Sequence, residues 1–207
     1  MTREEVITYL KTELQFDVKS IGLLDLYVDE LLKFNKQYNL ISKSTESIVW
    51  DRHILDSAQT IKFINQAKNL KICDLGTGAG LPGLIIAIYG YKLGFHVKLY
   101  EKSSVKCKFL INTINKLKIN NVLVENINIY DISIKADYIV TRAFKKLSEV
   151  LSISREIVST SHKLILLKGK GAEEEIKKMN FANNYKFEVK KSITDPESKI
   201  LIFDVKK

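Results

Sequence analysis

The spacing of apolar residues changes character near residue 70. Before it, apolar positions recur with the period of a helix. Val6, Tyr9, Leu10 and Leu14 predict a first helix, and Leu23, Leu24, Tyr27, Leu31, Leu32, Phe34 and Tyr38 predict a second that ends near Tyr38. Ile54, Leu55, Ala58, Ile61 and Ile64 predict a third. Thr2 and Glu5 have capping-box spacing, in which each side chain satisfies a free backbone N–H of the first turn. Beyond residue 70, short apolar runs alternate with helical stretches: KICDL, PGLIIAIYGYKLG, HVKLYE, VKCKFLINTINKLKI, VLVEN, then DYIVTR, a helix over about 146–159, and HKLILLK. Strands alternating with crossover helices predict a parallel sheet. A charged helix near 172–180 precedes YKFEVKKSI and KILIFDV, which a turn at Asp195-Pro196 joins into an antiparallel hairpin at one edge. The expected fold is α/β and Rossmann-like, with about seven mostly parallel strands over residues 70–207. The helical N-terminal segment, residues 1–69, is expected to pack on this domain as one body.

Glycine brings in the first candidate chemistry. The chain has nine glycines, and Gly76, Gly78, Gly80 and Gly83 fall in the run DLGTGAGLPG that links the first strand to its helix. A parallel sheet binds ligands at the carboxyl ends of its strands, and bare backbone there lets a ligand approach closely. The spacing is GxGxG, with Asp74 standing before the first glycine. A carboxylate aimed at a pyrophosphate would repel it, which disfavours a nicotinamide dinucleotide and an oxidoreductase. The cationic ammonium and sulfonium of S-adenosylmethionine would favour the same carboxylate. Glu101, ending the second strand, is placed to accept hydrogen bonds from both ribose hydroxyls. A methyltransferase is favoured, with a dehydrogenase as the alternative.

Charge changes this picture less. Lys and Arg total 33 against 24 Asp and Glu, a net charge of +9, which suits a polyanionic partner. Only four of the cations are arginine, so lysine-rich composition could raise the charge without a selected binding face. Cys73 and Cys107 form no CxxC pair, so neither a disulfide framework nor a metal site is expected. An acidic first segment without an apolar run argues against a signal peptide, and no stretch is apolar enough to span a bilayer. A cytoplasmic monomer without a membrane partner is expected.

Four groups of residues carry a family resemblance: Arg52-His53-Ile54-Leu55-Asp56-Ser57, Asp74 to Gly83, Thr141-Arg142-Ala143-Phe144, and Leu167-Lys168-Gly169. In order and approximate spacing they resemble the RsmG (GidB) family, bacterial methyltransferases that modify N7 of a guanine in 16S small-subunit ribosomal RNA. The resemblance covers nearly the whole chain. It implies a class I methyltransferase fold, S-adenosylmethionine as donor, and guanine 527 of the 16S RNA, naked or in a small ribosomal subunit, as acceptor. Carried over by position, it puts Gly76, Leu81, Ile129, Tyr130 and Arg142 at the cofactor, with Glu101 as the acid after the second strand. Asp74, Thr77, Gly78 and Gly80 complete the cofactor set. Two positions depart from the family: Val105 replaces a usual Arg or Lys, with Lys106 next to it, and Tyr130 replaces a usual glutamate. A methyltransferase of the same fold acting on a protein or small molecule remains the second reading.

Methyl transfer to guanine N7 uses a lone pair already free at neutral pH, so it needs positioning and no general base. Arg142 is the expected positioning residue, since its planar fork suits both guanine O6 and phosphate. His53 and Asp56, three apart on a helix, either shape the RNA pocket or fix the N-terminal segment to the sheet domain. Arg52, Lys106, Lys168 and Lys170 are the candidate RNA contacts, with ion pairs or a solvated loop as the plainer alternative. Trp50 either stacks on a base or packs under the helices, and Glu173-Glu174-Glu175 reads as a solvated face.

Overall fold

A computed structural model describes residues 1–179 and 186–207. The first helix, α1 (Arg3–Thr12), is closed by the expected capping box: Glu5 N–H donates to Thr2 Oγ1 and Thr2 N–H to Glu5 Oε2. The second, α2 (Val18–Asn35), stops three residues short of Tyr38. Asn35 is the cause. Its buried amide oxygen accepts from the N–H groups of Leu40 (2.7 Å) and Ile41 (3.0 Å), and its nitrogen donates to the Ile41 carbonyl at 3.2 Å. A side chain that takes over the following backbone this way ends a helix.

The third predicted helix is broken. Residues 43–63 run as a 3₁₀ turn (Lys43–Ile48), a wide π-turn (Trp50–Leu55), the single α-turn α3 (Asp56–Ala58) and a second 3₁₀ stretch (Gln59–Phe63). Every residue from His53 to Ile61 is buried, so this stretch has no solvent face to keep a regular amphipathic helix in register. The widened turn swings His53 and Asp56 toward the same partner, a use to which π-turns are often put.

The sheet follows the order β3-β2-β1-β4-β5-β7-β6, with β1 (Lys71–Leu75), β2 (His96–Tyr100), β3 (Val122–Glu125), β4 (Tyr138–Arg142), β5 (His162–Lys168), β6 (Lys186–Lys191) and β7 (Lys199–Val205). The first five strands are parallel, and β7 runs antiparallel between β5 and β6. The expected seven-stranded Rossmann-like sheet is therefore present. Tyr185 and residue 180, assigned above to the sixth strand and the preceding helix, lie outside the described residues. The helices α4 (Gly83–Gly90), α5 (Ser104–Leu117), α6 (Leu147–Ile157) and α7 (Ala172–Lys178) complete the chain.

Alternation along the strands feeds two cores. Ile72, Leu99, Val140 and Ile165 pack with α1, α2, α4 and α5 on one face, whereas Leu75, Ile139, Leu164 and Phe203 pack with α6 on the other. Helix α4 is apolar all round because the sheet covers one side and α2 the other. The edge strand β6 is mostly exposed and lysine-rich, which discourages pairing with another chain. The chain reverses its direction across the sheet between β1 and β4, and their carboxyl ends open a crevice.

Candidate active site

The glycine loop after β1 is fastened from below and from both sides. Gly76 and Thr77 N–H groups donate to the Tyr100 carbonyl of β2 at 2.9 and 3.1 Å. Asp74 Oδ2 accepts from the Thr77 hydroxyl at 2.6 Å and from the Gly83 N–H at 2.8 Å. This corrects the expectation that Asp74 faces the cationic donor. Its carboxyl is fully buried behind the loop, and burial pushes its pKa up to about 7 against the opposing pull of the Thr77 and Gly83 hydrogen bonds. A Cβ at Gly83 would lie 2.7 Å from Asp74 Oδ2, which explains bare backbone at that position. From α2, the buried Tyr27 hydroxyl donates to the Ala79 carbonyl at 2.9 Å. The helical period had marked Tyr27 only as core. Thr77, Gly80 and Leu81 are buried within the loop and are not among the residues that line the crevice.

Above the loop lies a cleft of about 530 Å³. Gly76, Tyr100, Ile129 and Phe144 line it, and at φ +69° Gly76 lets the Phe144 ring come within 2.2 Å of where a Cβ would stand. Glu101, 7% exposed, enters the same cleft with one oxygen accepting from Gly78 N–H (3.0 Å) and the other from Ser103 N–H (2.8 Å). Two backbone donors fix the carboxylate and leave each oxygen a lone pair. Tyr130 forms the rim, half exposed, its hydroxyl donating to Glu149 at 3.0 Å. Lys145 pairs with the same carboxylate and lies over the Tyr130 and Phe144 rings. At this rim the chain presents a tyrosine ring. Lys106 lines the cleft, while its neighbour Val105 is exposed.

A second, smaller pocket of about 110 Å³ opens at the ends of β4, β5 and β7, and Ala143 lines both spaces. Ala143 holds a left-handed backbone, φ +48°, uncommon for a residue with a Cβ and frequent at functional sites. Beside it Arg142 is tied down at all three nitrogens. Nε pairs with Asp56 Oδ2 at 3.0 Å, Nη1 donates to His53 Nδ1 at 3.0 Å, and Nη2 donates to the Arg52 carbonyl at 2.9 Å. The expected free fork is thus a buried junction between β4 and the N-terminal segment, with only its remaining N–H groups available to the pocket. Asp56 extends the junction: Oδ1 accepts from Gln59 Nε2 and Thr194 Oγ1, both at 2.9 Å, and from Ser192 Oγ at 3.3 Å. Of the two roles left open for His53 and Asp56, the structure favours fixing the segment.

Three of the four candidate RNA contacts are paired, while Lys106 lines the larger cleft. Arg52 meets Asp195 at 3.0 Å, Lys168 meets Glu175 at 2.9 Å and the Lys145 carbonyl at 2.5 Å, and exposed Lys170 meets Glu197 at 3.4 Å. Glu175 also accepts from the Leu147 N–H, so one member of the acidic run holds an element in place and is not merely a solvated face. Trp50 is buried beneath the Arg3 guanidinium, which removes it as a base-stacking surface. Sequence reasoning missed Gln59, Ser192 and Thr194, which carry no local motif, and marked Asp195 only as part of a turn. Among the described residues no cluster of His, Cys, Asp and Glu could hold a metal ion, and no helix is long and apolar enough to cross a membrane.

Comparison with known proteins adds a family. The family model described as GidB, rRNA small subunit methyltransferase G, matches residues 20–200. Proteins named ribosomal RNA small subunit methyltransferase G are similar over most of the chain. The Rickettsia bellii protein is 37% identical over 87% of this chain and 91% of its own, and the Orientia tsutsugamushi protein is 31% identical over 96% and 97%. Among solved structures, an S-adenosylmethionine-dependent O-methyltransferase from Thermotoga maritima superposes with a TM-score of 0.62 at 14% identity, over 87% of this chain and 72% of that one. A methyltransferase from Aquifex aeolicus that depends on the same donor gives 0.57 at 17% identity, over 73% and 89%. Those structures share the class I fold.

Proposed function

We propose, for a chain that belongs to the rRNA small subunit methyltransferase G family, that the large cleft holds S-adenosylmethionine and the small pocket receives a guanine of 16S ribosomal RNA, methylated at N7. Guanine 527 is the position the family resemblance suggests. Family membership sets aside the nicotinamide-dependent alternative. The observation that carries the reading is the meeting of two unlike cavities at Ala143, one walled by glycine backbone, Glu101 and apolar rings, the other by charge-compensated polar groups.

The cleft fits the donor. The lone pairs left on Glu101 suit two ribose hydroxyls, Ile129 and the Tyr130 ring suit an adenine, and the bare backbone of Gly76 suits close approach. When bound, S-adenosylmethionine supplies an electrophilic methyl group on a cationic sulfonium. The small pocket is not an anion trap, because Arg52, Arg142, Lys168 and Lys199 face Asp195, Asp56, Glu175 and Glu173 in turn. A mosaic of paired donors and acceptors suits the edge of a neutral base better than a bare phosphate.

The protonation pattern supports an acceptor that gives up no proton before attack. Arg142 can only donate, so His53 Nδ1 accepts, and His53 Nε2 donates to Thr45 Oγ1 at 2.8 Å, whose hydroxyl donates to the Ser42 carbonyl at 2.8 Å. The imidazole has no lone pair left for a substrate, and burial beside Arg142 holds its pKa down at about 3. Guanine N7, unprotonated at neutral pH, needs no base. The protein's work is to hold N7 in line, keep water out and fix the surrounding dipoles.

The test supplies methyl-labelled S-adenosylmethionine with small ribosomal subunits, their naked RNA, or total protein. Label recovered as 7-methylguanosine after nuclease digestion is the expected result. Label in a different nucleoside, or only in protein, would overturn the substrate assignment.

A further inference from the structure

The loop joining β6 to β7 presents an apolar side chain on an immobilised backbone. The Ser192 and Thr194 hydroxyls both reach Asp56 Oδ1, and between them the Ile193 N–H donates to Gln59 Oε1 at 3.0 Å. Further along, Asp195 closes the loop on itself by accepting from the Glu197 N–H at 2.9 Å and the Ser198 hydroxyl at 2.8 Å, while also pairing with Arg52. Held by these anchors, Ile193 remains 43% exposed. Single exposed apolar side chains are common on protein surfaces. Ile193 differs in position: among the exposed large apolar side chains of the described residues, it alone adjoins in sequence a residue lining the small pocket, Ser192.

A base stacked within RNA cannot enter a pocket of this size with its neighbours. It must be drawn out, and the gap it leaves costs stacking energy unless something fills it. Apolar side chains are inserted between base steps elsewhere, where they unstack neighbouring bases, and such a side chain serves best when its backbone cannot retreat. We infer that Ile193 is the wedge that fills the stack vacated by the acceptor base. This rests on the reading of the acceptor as a base within RNA. The anchors from Asp56 and Gln59 then have a function beyond stability: they hold the wedge at a fixed distance from the pocket that receives the base.

The experiment compares wild type, Ile193→Ala and Ile193→Leu on two synthetic hairpins of the 16S region around guanine 527, one intact and one with the nucleotide beside the acceptor made abasic. The abasic site removes the stacking partner, so the base leaves the stack without help. Ile193→Ala should lose about tenfold or more in kcat/KM on the intact hairpin, because the cost of unstacking the base is then no longer offset. The abasic hairpin should restore it to within about twofold of wild type, Ile193→Leu should retain most activity, and cofactor affinity should not change. Equal loss on both hairpins, or no loss on either, overturns the wedge. If wild type labels neither hairpin nor 16S RNA, naked or in small ribosomal subunits, the substrate reading fails instead, a distinct outcome.

Discussion

Arg142 Nη1 lies 3.0 Å from His53 Nδ1, and this contact fixes the histidine as an acceptor toward the sheet and a donor toward Thr45. A residue that composition would nominate for proton transfer is thereby a neutral spacer in the junction that seats the N-terminal segment on β4.

That arrangement sets a pH dependence. His53 has an ordinary pKa of 6.5 and is held at about 3 in the fold, chiefly by burial and next by Arg142. Between these values the unfolded chain binds a proton that the folded chain refuses, so this group's contribution is full above the upper value and is lost as pH falls. The loss approaches about 1.4 kcal/mol per pH unit within that window. Unfolding free energies of wild type and His53→Gln, measured by urea denaturation between about pH 4 and pH 8, should diverge in slope on the acid side, with the variant shallower. Parallel curves would remove His53 from the account.

The Asp56 and Arg142 pair predicts strong coupling. Either residue replaced by alanine leaves the other buried without its counter-charge, at a cost of about 3–5 kcal/mol. In the double variant no lone charge remains, so the two losses should fall short of additive by about 1–3 kcal/mol. A thermodynamic cycle of Asp56→Ala, Arg142→Ala and the double variant measures this, and additivity would mean that the pair is not coupled in solution.

The close approach at Gly76 predicts a cofactor defect. Gly76→Ala places a Cβ 2.2 Å from the Phe144 ring on a backbone at φ +69°, so Phe144 or the loop must move. Such strain costs about 1–3 kcal/mol, and calorimetry with S-adenosylhomocysteine should show affinity weakened about tenfold or more. Gly169→Ala, with nothing within 4 Å of the new Cβ, is the control and should bind normally.

Much of the fold was legible because its signals are local. Alternation marked the strands, four clustered glycines marked the crevice, and Glu101 stood where the second strand had to end. What stayed hidden depends on contacts between distant segments. Nothing near Tyr27 in sequence announces a hydrogen bond to Ala79, and nothing near Ser192 or Thr194 announces Asp56. Asp74 was read as facing the ligand because only its position was visible. Its direction is set by Thr77 and by the N–H of Gly83, which turn the carboxyl inward. The break in the third predicted helix was hidden for a related reason, since the apolar period persists through a stretch that is buried on all sides.

The carboxylate of Asp56 gathers ligands from residues 59, 142, 192 and 194, and this has a consequence for the order in which the protein becomes complete during synthesis. The lining of the larger cleft runs from Gly76 to Lys145, so all of its parts have been made while the last quarter of the chain is still to come. The smaller pocket needs Ser198, Lys199 and Ile200. A ribosome translating this message therefore completes the residues of the larger cleft before those of the smaller pocket, whose earlier-made wall of Arg52, Asp56, Arg142 and Ala143 waits for the last strand to close it.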